Sequence, residues 1–313
     1  MKVRIGIDIG GTYVKFGIFS ADGALLLHWV TPTNHMGHGE YVLAQVMEDI
    51  TKKCNELKIY KEDIINVGVA VPGPVRPDGT VEGCVNLEWG TFPLATRFSQ
   101  MTGLRIIALN DARAAALGEV WQGAAKGLTS ALMVTVGTGV GSGVIMDGKI
   151  WHGIKGSCGE IGHICIDFNS NIRCSCGNYG CMEQYAAEPA MIRYVKRCLE
   201  IGVKSRLMNV ELNAKTIINA AKDGDELAVK CVDRSANALG QGIAAANCMI
   251  DAEKIVLGGG VMQAGDFYLD KIRAAYQKHA FMRQKETPIV LSALENLSGI
   301  YGAAGVALFE DWL

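Results

Sequence analysis

Two stretches decide the fold: IGIDIGGTYVKFGIFSADGAL at residues 5–25 and LMVTVGTGVGSGVIMDGKI at 132–150. Each reads as a buried strand, a glycine–threonine turn, a second strand and an Asp-Gly turn. Apolar runs bounded by such turns predict strands at 3–9, 13–19 and 24–30, the last two joined by Ala21-Asp22-Gly23. The recurrence of this order in the second half predicts an internal duplication. Two α/β lobes with a cleft between them follow from it.

Working outward, Val42, Val46, Ile50 and Cys54 recur every four residues and predict a helix over 40–57. INVGVAV predicts a strand at 65–71, closed by Pro72-Gly73-Pro74. A short strand at 105–109 runs into a helix from Asp111 to about Val120. KIVLGGG at 254–260 is a late strand ahead of a helix at 266–279. The mobile boundary is expected near residue 110. The small lobe is then 1–110 plus about 299–313, with the last helix returning to it, and the large lobe is 111–298.

With 313 residues there is ample core for two lobes. A net charge of -2 gives no basic field for nucleic acid or an anionic membrane. No window is apolar enough to span a bilayer, and Asp8 interrupts the first apolar run, so a cytoplasmic protein is expected. Ten cysteines in a reducing compartment point to core residues or a metal site rather than to disulfides.

The glycines cluster where backbone must come close to a ligand. Gly10, Gly11 and Thr12 follow a strand, and their N–H groups and hydroxyl can receive a phosphate, with Lys15 adding charge. Thr138 and Gly139, within Gly137–Gly141, offer the same chemistry from the second copy. A tight hairpin would look the same, but two matched copies suit one polyphosphate. Asp8 is either a turn former or a carboxylate for Mg²⁺. Gly258, Gly259 and Gly260 either form a structural turn or let an adenine or ribose lie on backbone. Asp111 is either a helix cap or a base that orients a hydroxyl and takes its proton in phosphoryl transfer.

CSCGNYGC at 174–181 poses a different question. Cys174, Cys176 and Cys181 with His163 make a Cys₃His set, and Gly177 and Gly180 let the chain curl around an ion. Three thiolates select zinc over hard cations. Cys158 and Cys165 are possible competitors; Cys165 alternates with Ile164 and Ile166 in what reads as a strand.

Together DIGGT (8–12), VPGPV (71–75), NL (86–87), ND (110–111), GTGVG (137–141), GEIGH (159–163), CxCGxxGCxE (174–183) and GGGV (258–261) resemble the ROK sugar kinases, over nearly the whole chain. The resemblance implies an actin-like, RNase H-like two-lobe fold that binds ATP and Mg²⁺ and phosphorylates a hexose, glucose first. Asp111 would be the base on the 6-hydroxyl. Asn86, Asn110, Glu160, His163 and Glu183 would bond the other hydroxyls. Zinc would be structural, pinning the loop that carries them, with His163 meeting metal on one side and sugar on the other. Relatives imply a homodimer or a higher homo-oligomer. Arg113 departs from the family, where a second Asn is common, and leaves N-acetylmannosamine, allose, fructose, mannose or a β-glucoside as other acceptors. A sugar-responsive repressor would carry a helix-turn-helix ahead of DIGGT, for which Asp8 leaves no room. An actin-like ATPase would need no carboxylates on a zinc loop.

Overall fold

The computed structural model describes all residues except His38, Lys155 and Leu313, and no side chain beyond Phe309. The first sheet contains β1 (Val3–Ile9), β2 (Tyr13–Ser20), β3 (Leu25–Pro32), β4 (Ile64–Val71) and β7 (Ile106–Asn110), in the order β3-β2-β1-β4-β7. β1, β2 and β3 run antiparallel as a meander, while β4 and β7 are parallel to β1's direction. Helix α1 (Val42–Leu57) supplies the crossover to β4, burying Val42, Leu43, Val46, Ile50 and Cys54. A hairpin of β5 (Val81–Cys84) and β6 (Trp89–Phe92), then α2 (Leu94–Thr102), lead into β7, and α3 (Asp111–Gln122) follows without a break. The hairpin and α2 were not legible in the sequence, since four-residue strands carry almost no periodicity.

A second sheet has the order β10-β9-β8-β11-β12, from β8 (Ala131–Val136), β9 (Val140–Met146), β10 (Lys149–Ile150), β11 (Lys254–Gly258) and β12 (Ile289–Leu291). Numbered within each sheet, both orders read third-second-first-fourth-fifth. The duplication seen in the turns is therefore a duplication of topology. Between β10 and β11 lie the cysteine loop, the short α4 (Glu183–Ala186), α5 (Glu188–Glu200), α6 (Ala214–Lys222) and α7 (Glu226–Ile250). After β11 comes α8 (Asp266–His279), the helix expected there. Cys165 forms only an isolated bridge with Cys181, not the strand that its neighbours suggested.

By contact the chain divides into one unit of residues 1–128, 143–158 and 297–313 and another of 129–142 and 159–296. α3 and the segment 143–158 thus group with the first unit. The expected boundary near residue 110 concerns motion, which these units do not address. The terminal helix α9 (Ser298–Gly305) lies in the first unit. Its seat is a row of glycines. Gly17, Gly6 and Gly68 stand side by side across β2, β1 and β4. A Cβ on Gly6 would come 1.9 Å from the Ile300 carbonyl oxygen, and one on Gly68 1.8 Å from that of Ala303. α3 closes the other side just as tightly: a Cβ on Gly302 would lie 1.7 Å from the Ala114 oxygen. Glu119, 1% exposed, accepts from the Ser298 hydroxyl at 2.9 Å and from the Ala124 N–H at 2.7 Å, so the buried carboxylate is hydrogen-bonded as burial demands.

Candidate active site and metal centre

In the first unit, the β1–β2 turn is closed by the Gly10 N–H donating to the Tyr13 oxygen at 3.0 Å. Residues 33–35 cover its carbonyls. The Thr33 hydroxyl donates to the Gly10 oxygen (2.7 Å), the Thr33 N–H to that of Thr12 (3.0 Å), and His35 Nε2 meets that of Gly11 (2.6 Å). A bound anion would therefore meet a turn whose carbonyls are already engaged. A Cβ on Gly11 would come 3.1 Å from the Asn86 Cβ, so Asn86, in the single turn Val85–Leu87, lies directly against this hairpin. Lys15 faces Asp8 across the β1–β2 ladder, with its ammonium 3.3 Å from the carboxylate.

Asn110, not Asp111, caps α3. Its Oδ1 accepts from the N–H groups of Ala112 (3.0 Å) and Arg113 (3.2 Å). Its Nδ2 donates to the Gly73 carbonyl (3.1 Å) and to Asp111 Oδ1 (3.0 Å), which also accepts from the Ala112 N–H (2.8 Å). One amide thus fixes three things: the helix start, the Pro-Gly-Pro loop and the Asp111 carboxylate. The cap role that could have explained Asp111 belongs to its neighbour. Asp111 is at N1, where the helix dipole favours an ionised carboxylate, at the carboxyl end of β7. Arg113 is 8% exposed, and its guanidinium donates to the carbonyls of Gly156 and Cys158. It straps a loop, a role that nothing near it in the chain announces.

In the second unit, the β8–β9 turn occupies the matching place in its sheet but is closed one residue tighter. The Gly137 N–H donates to the Gly139 oxygen at 2.9 Å. Glu183 holds this turn, its Oε2 accepting from the Val140 N–H at 3.1 Å. A Cβ on Gly139 would sit 2.7 Å from that oxygen, so a larger residue there would push the Glu183 carboxylate aside. Thr138, at the tip, is exposed. Gly258 and Gly259 line a cavity of about 340 Å³ together with Met262, Gln263, Ser292 and Glu295. Gly259 has φ +92° and passes so close to β8 that a Cβ would be 2.4 Å from the Val136 oxygen. Its place is a demand of backbone geometry, whatever lies in the cavity.

His163, Cys174, Cys176 and Cys181 do come together, with all four ligand atoms within 4.8 Å of one another. Cys174 Sγ is 3.5 Å from His163 Nδ1, and Cys176 Sγ is 3.7 Å from Cys181 Sγ. A tetrahedron with Zn–S bonds of about 2.3 Å has edges of roughly 3.7 Å, so the spacing fits zinc. The charge balance fits as well. Burial pushes the Cys181 thiol up to about 12, and its hydrogen bonds with Cys176 and Cys174 push the same way. Burial would also raise Cys174, but bonds from Cys176, Ser175 and His163 outweigh it and bring that thiol to about 7. A divalent cation would let all three ionise. Nδ1 faces the thiols, which puts Nε2 on the opposite edge of the ring. Glu160 is exposed just before the single turn Ile161–His163, and Glu183 starts α4 two residues after Cys181.

Two further residues serve this region and were missed in the sequence. The Ser142 hydroxyl donates to the Gly159 carbonyl, tying the GTGVGSG run to GEIGH. The Gln184 amide donates to Cys174 Sγ at 3.7 Å. Both sit inside motifs whose other members drew the attention.

The sequence signature of the ROK family matches residues 4–310. A glucokinase of Halalkalibacterium halodurans is 34% identical over 305 residues, spanning 95% of this chain and 92% of that one. A putative xylose repressor of Caldicellulosiruptor sp. is 30% identical over 98% of this chain and 78% of its own. Among solved structures, a ROK family glucokinase from Streptomyces griseus, in complex with glucose and AMPPNP, superposes with a TM-score of 0.82 at 29% identity, covering 97% and 98% of the two chains. The mixed α/β architecture described above is that of these ROK structures.

Proposed function

Because the chain belongs to the ROK family, we propose that it is a cytoplasmic, ATP-dependent hexokinase that phosphorylates the 6-hydroxyl of glucose. The observation that carries this reading is the Asn110–Asp111 pair. A carboxylate fixed by a neighbouring amide at a helix N-terminus suits a group that must orient a hydroxyl and accept its proton. Asn86, Asn110, Glu160, His163 and Glu183 are assigned to the remaining hydroxyls; carboxylates suit them because each accepts from more than one donor. Gly10, Gly11 and Thr12, with Thr138 and Gly139, are assigned to the phosphates, and Gly258, Gly259 and Gly260 to the adenosine. Lys15 bonds Asp8 and keeps that carboxylate in place. Mg²⁺, held by Asp8 directly or through water, would neutralise phosphate charge. Zinc on His163, Cys174, Cys176 and Cys181 would have no open position, so its part is to fix the loop that carries the hydroxyl acceptors. A homodimer or higher homo-oligomer is the expected assembly.

The likeness to a putative xylose repressor keeps a second reading, sugar sensing without catalysis. ADP release from ATP-Mg²⁺ decides between them, measured across glucose, mannose, fructose, allose, N-acetylmannosamine and β-glucosides. Strong stimulation by glucose is expected. Stimulation by another sugar alone moves the acceptor and leaves the kinase; sugar binding with no turnover on any of them supports the sensor.

A further inference from the structure

Between α1 and α2, against β4, the first unit holds a cavity of about 340 Å³ that no residue of the proposed reaction lines. That volume is within the roughly 300–1,000 Å³ of small-molecule sites. Its floor is buried core: Ile50, Cys54, Ile59, Val67 and Phe98. Met47 and Met101 stand on its sides, and flexible thioethers let a wall shape itself to a guest. The threonines of the wall are turned back on their own helices: the Thr51 hydroxyl donates to the Met47 carbonyl at 2.7 Å and that of Thr102 to the Phe98 carbonyl at 2.8 Å. The interior is therefore apolar. It opens to solvent past Tyr60, Lys61 and Met101, all exposed. One charge stands at that mouth, since Lys61 is the single charged residue among those that line the cavity. Its ammonium lies over Gly103, where a Cβ would run into it, between Thr102 and Leu104 of the wall. Gly103 caps α2, and the negative end of that helix draws the ammonium to this place. Among the described residues no hydrogen bond or ion pair holds it. The nearby Asp63 carboxylate is engaged elsewhere, by the amino terminus of Met1 at 3.2 Å and the Tyr60 N–H at 3.1 Å, and Glu62 is not part of the wall. An apolar cavity with one open cation at its rim is complementary to a carboxylate that carries an apolar tail.

We propose that this cavity binds a small carboxylate with an apolar tail, of the class of medium-chain fatty acids. The tail lies against Ile50, Cys54 and Phe98, and the carboxylate accepts from Lys61. The site stands on the cavity alone and does not depend on the kinase reading.

The test is calorimetric titration of the full chain with hexanoate, octanoate and octanol, comparing the wild type with Lys61→Met and Met101→Trp. Both positions are exposed and outside the proposed reaction, so both variants are expected to fold, which thermal melts check. Octanoate is expected to bind one site per chain, each methylene from hexanoate to octanoate strengthening the affinity about fourfold. Lys61→Met should weaken octanoate by about tenfold and leave octanol unchanged. Met101→Trp, which puts an indole across the mouth, should weaken both. Excess glucose and ATP-Mg²⁺ should leave octanoate bound. No binding at millimolar octanoate, an affinity indifferent to chain length, or binding indifferent to Met101→Trp would each overturn the site. Displacement by glucose or ATP would overturn it too, by assigning the ligand to the reaction site. Octanoate binding that Lys61→Met leaves intact would reject the carboxylate contact, and the proposal with it.

Discussion

Asn110 and Asp111 show how one residue can disguise another. Asp at a helix start reads as a cap, yet here the cap is Asn110 and Asp111 is held by it. Asp111→Asn keeps an acceptor for the Asn110 amide and the Ala112 N–H, so the fold and sugar binding should survive. Loss of the base should lower kcat by about 10²–10⁴-fold with little change in sugar affinity. Turnover within a few-fold of wild type would remove Asp111 from the chemistry. At this scale the sequence was informative where residue type alone limits the options, as at Gly259, whose φ and close approach admit nothing else. It was silent where direction matters. Arg113 stands two positions from Asp111, but its guanidinium turns to the carbonyls of Gly156 and Cys158, residues more than forty positions away.

Among the elements, the loop that carries His163 and the three cysteines has little regular structure, and a zinc ion on them would order it. Cys176→Ala should reduce bound zinc from one equivalent to near zero by metal analysis, and weaken sugar binding with it. A full equivalent of zinc in that variant would dismiss the ligand set. α7 depends on a different device. Asp225 caps it, accepting from the Ala228 N–H at 2.9 Å, the Arg206 N–H at 2.8 Å and the Ser205 hydroxyl. Burial would raise this carboxyl, but those donors outweigh burial and hold it below its ordinary value. A carboxyl depressed in the folded state stabilises above its unfolded value, near pH 4, and loses that contribution as pH falls. Asp225→Ala should therefore cost about 1–2 kcal/mol at neutral pH, a difference that shrinks in urea titrations as the medium is acidified. A constant difference down to pH 2 would contradict the assignment. Long elements with clear periods, such as α1 and α8, were readable in advance. α7 was not, although Glu226, Lys230, Asp233 and Asn237 form an exposed stripe on it, because its second half is mostly small Ala and Gly residues that carry little periodic contrast.

For the molecule as a whole, the row Gly17–Gly6–Gly68 decides how closely the last helix can approach the first sheet. It lets helix backbone rest on strand backbone, and α9 buries itself there between the sheet and α3. Gly68→Val should destabilise the first unit by on the order of 3 kcal/mol, since no rotamer escapes the Ala303 carbonyl. Urea unfolding watched through Trp29 and Trp121, both in that unit, would report it; an unchanged midpoint would mean that α9 is not seated as described. The duplication was legible because turns carry their chemistry locally. The seat of α9 was not, because it pairs residues 6 and 68 with residues about 300, and nothing in either segment names the other. This pairing has a consequence for synthesis. On the ribosome the first sheet is complete by residue 110, yet its glycine groove stays open until residues 298–305 leave the exit tunnel. The whole second unit, residues 129–142 and 159–296, is made in the interval. The sheet that is translated first is thus among the last to be finished, and a nascent chain stalled before residue 298 would offer that groove to chaperones.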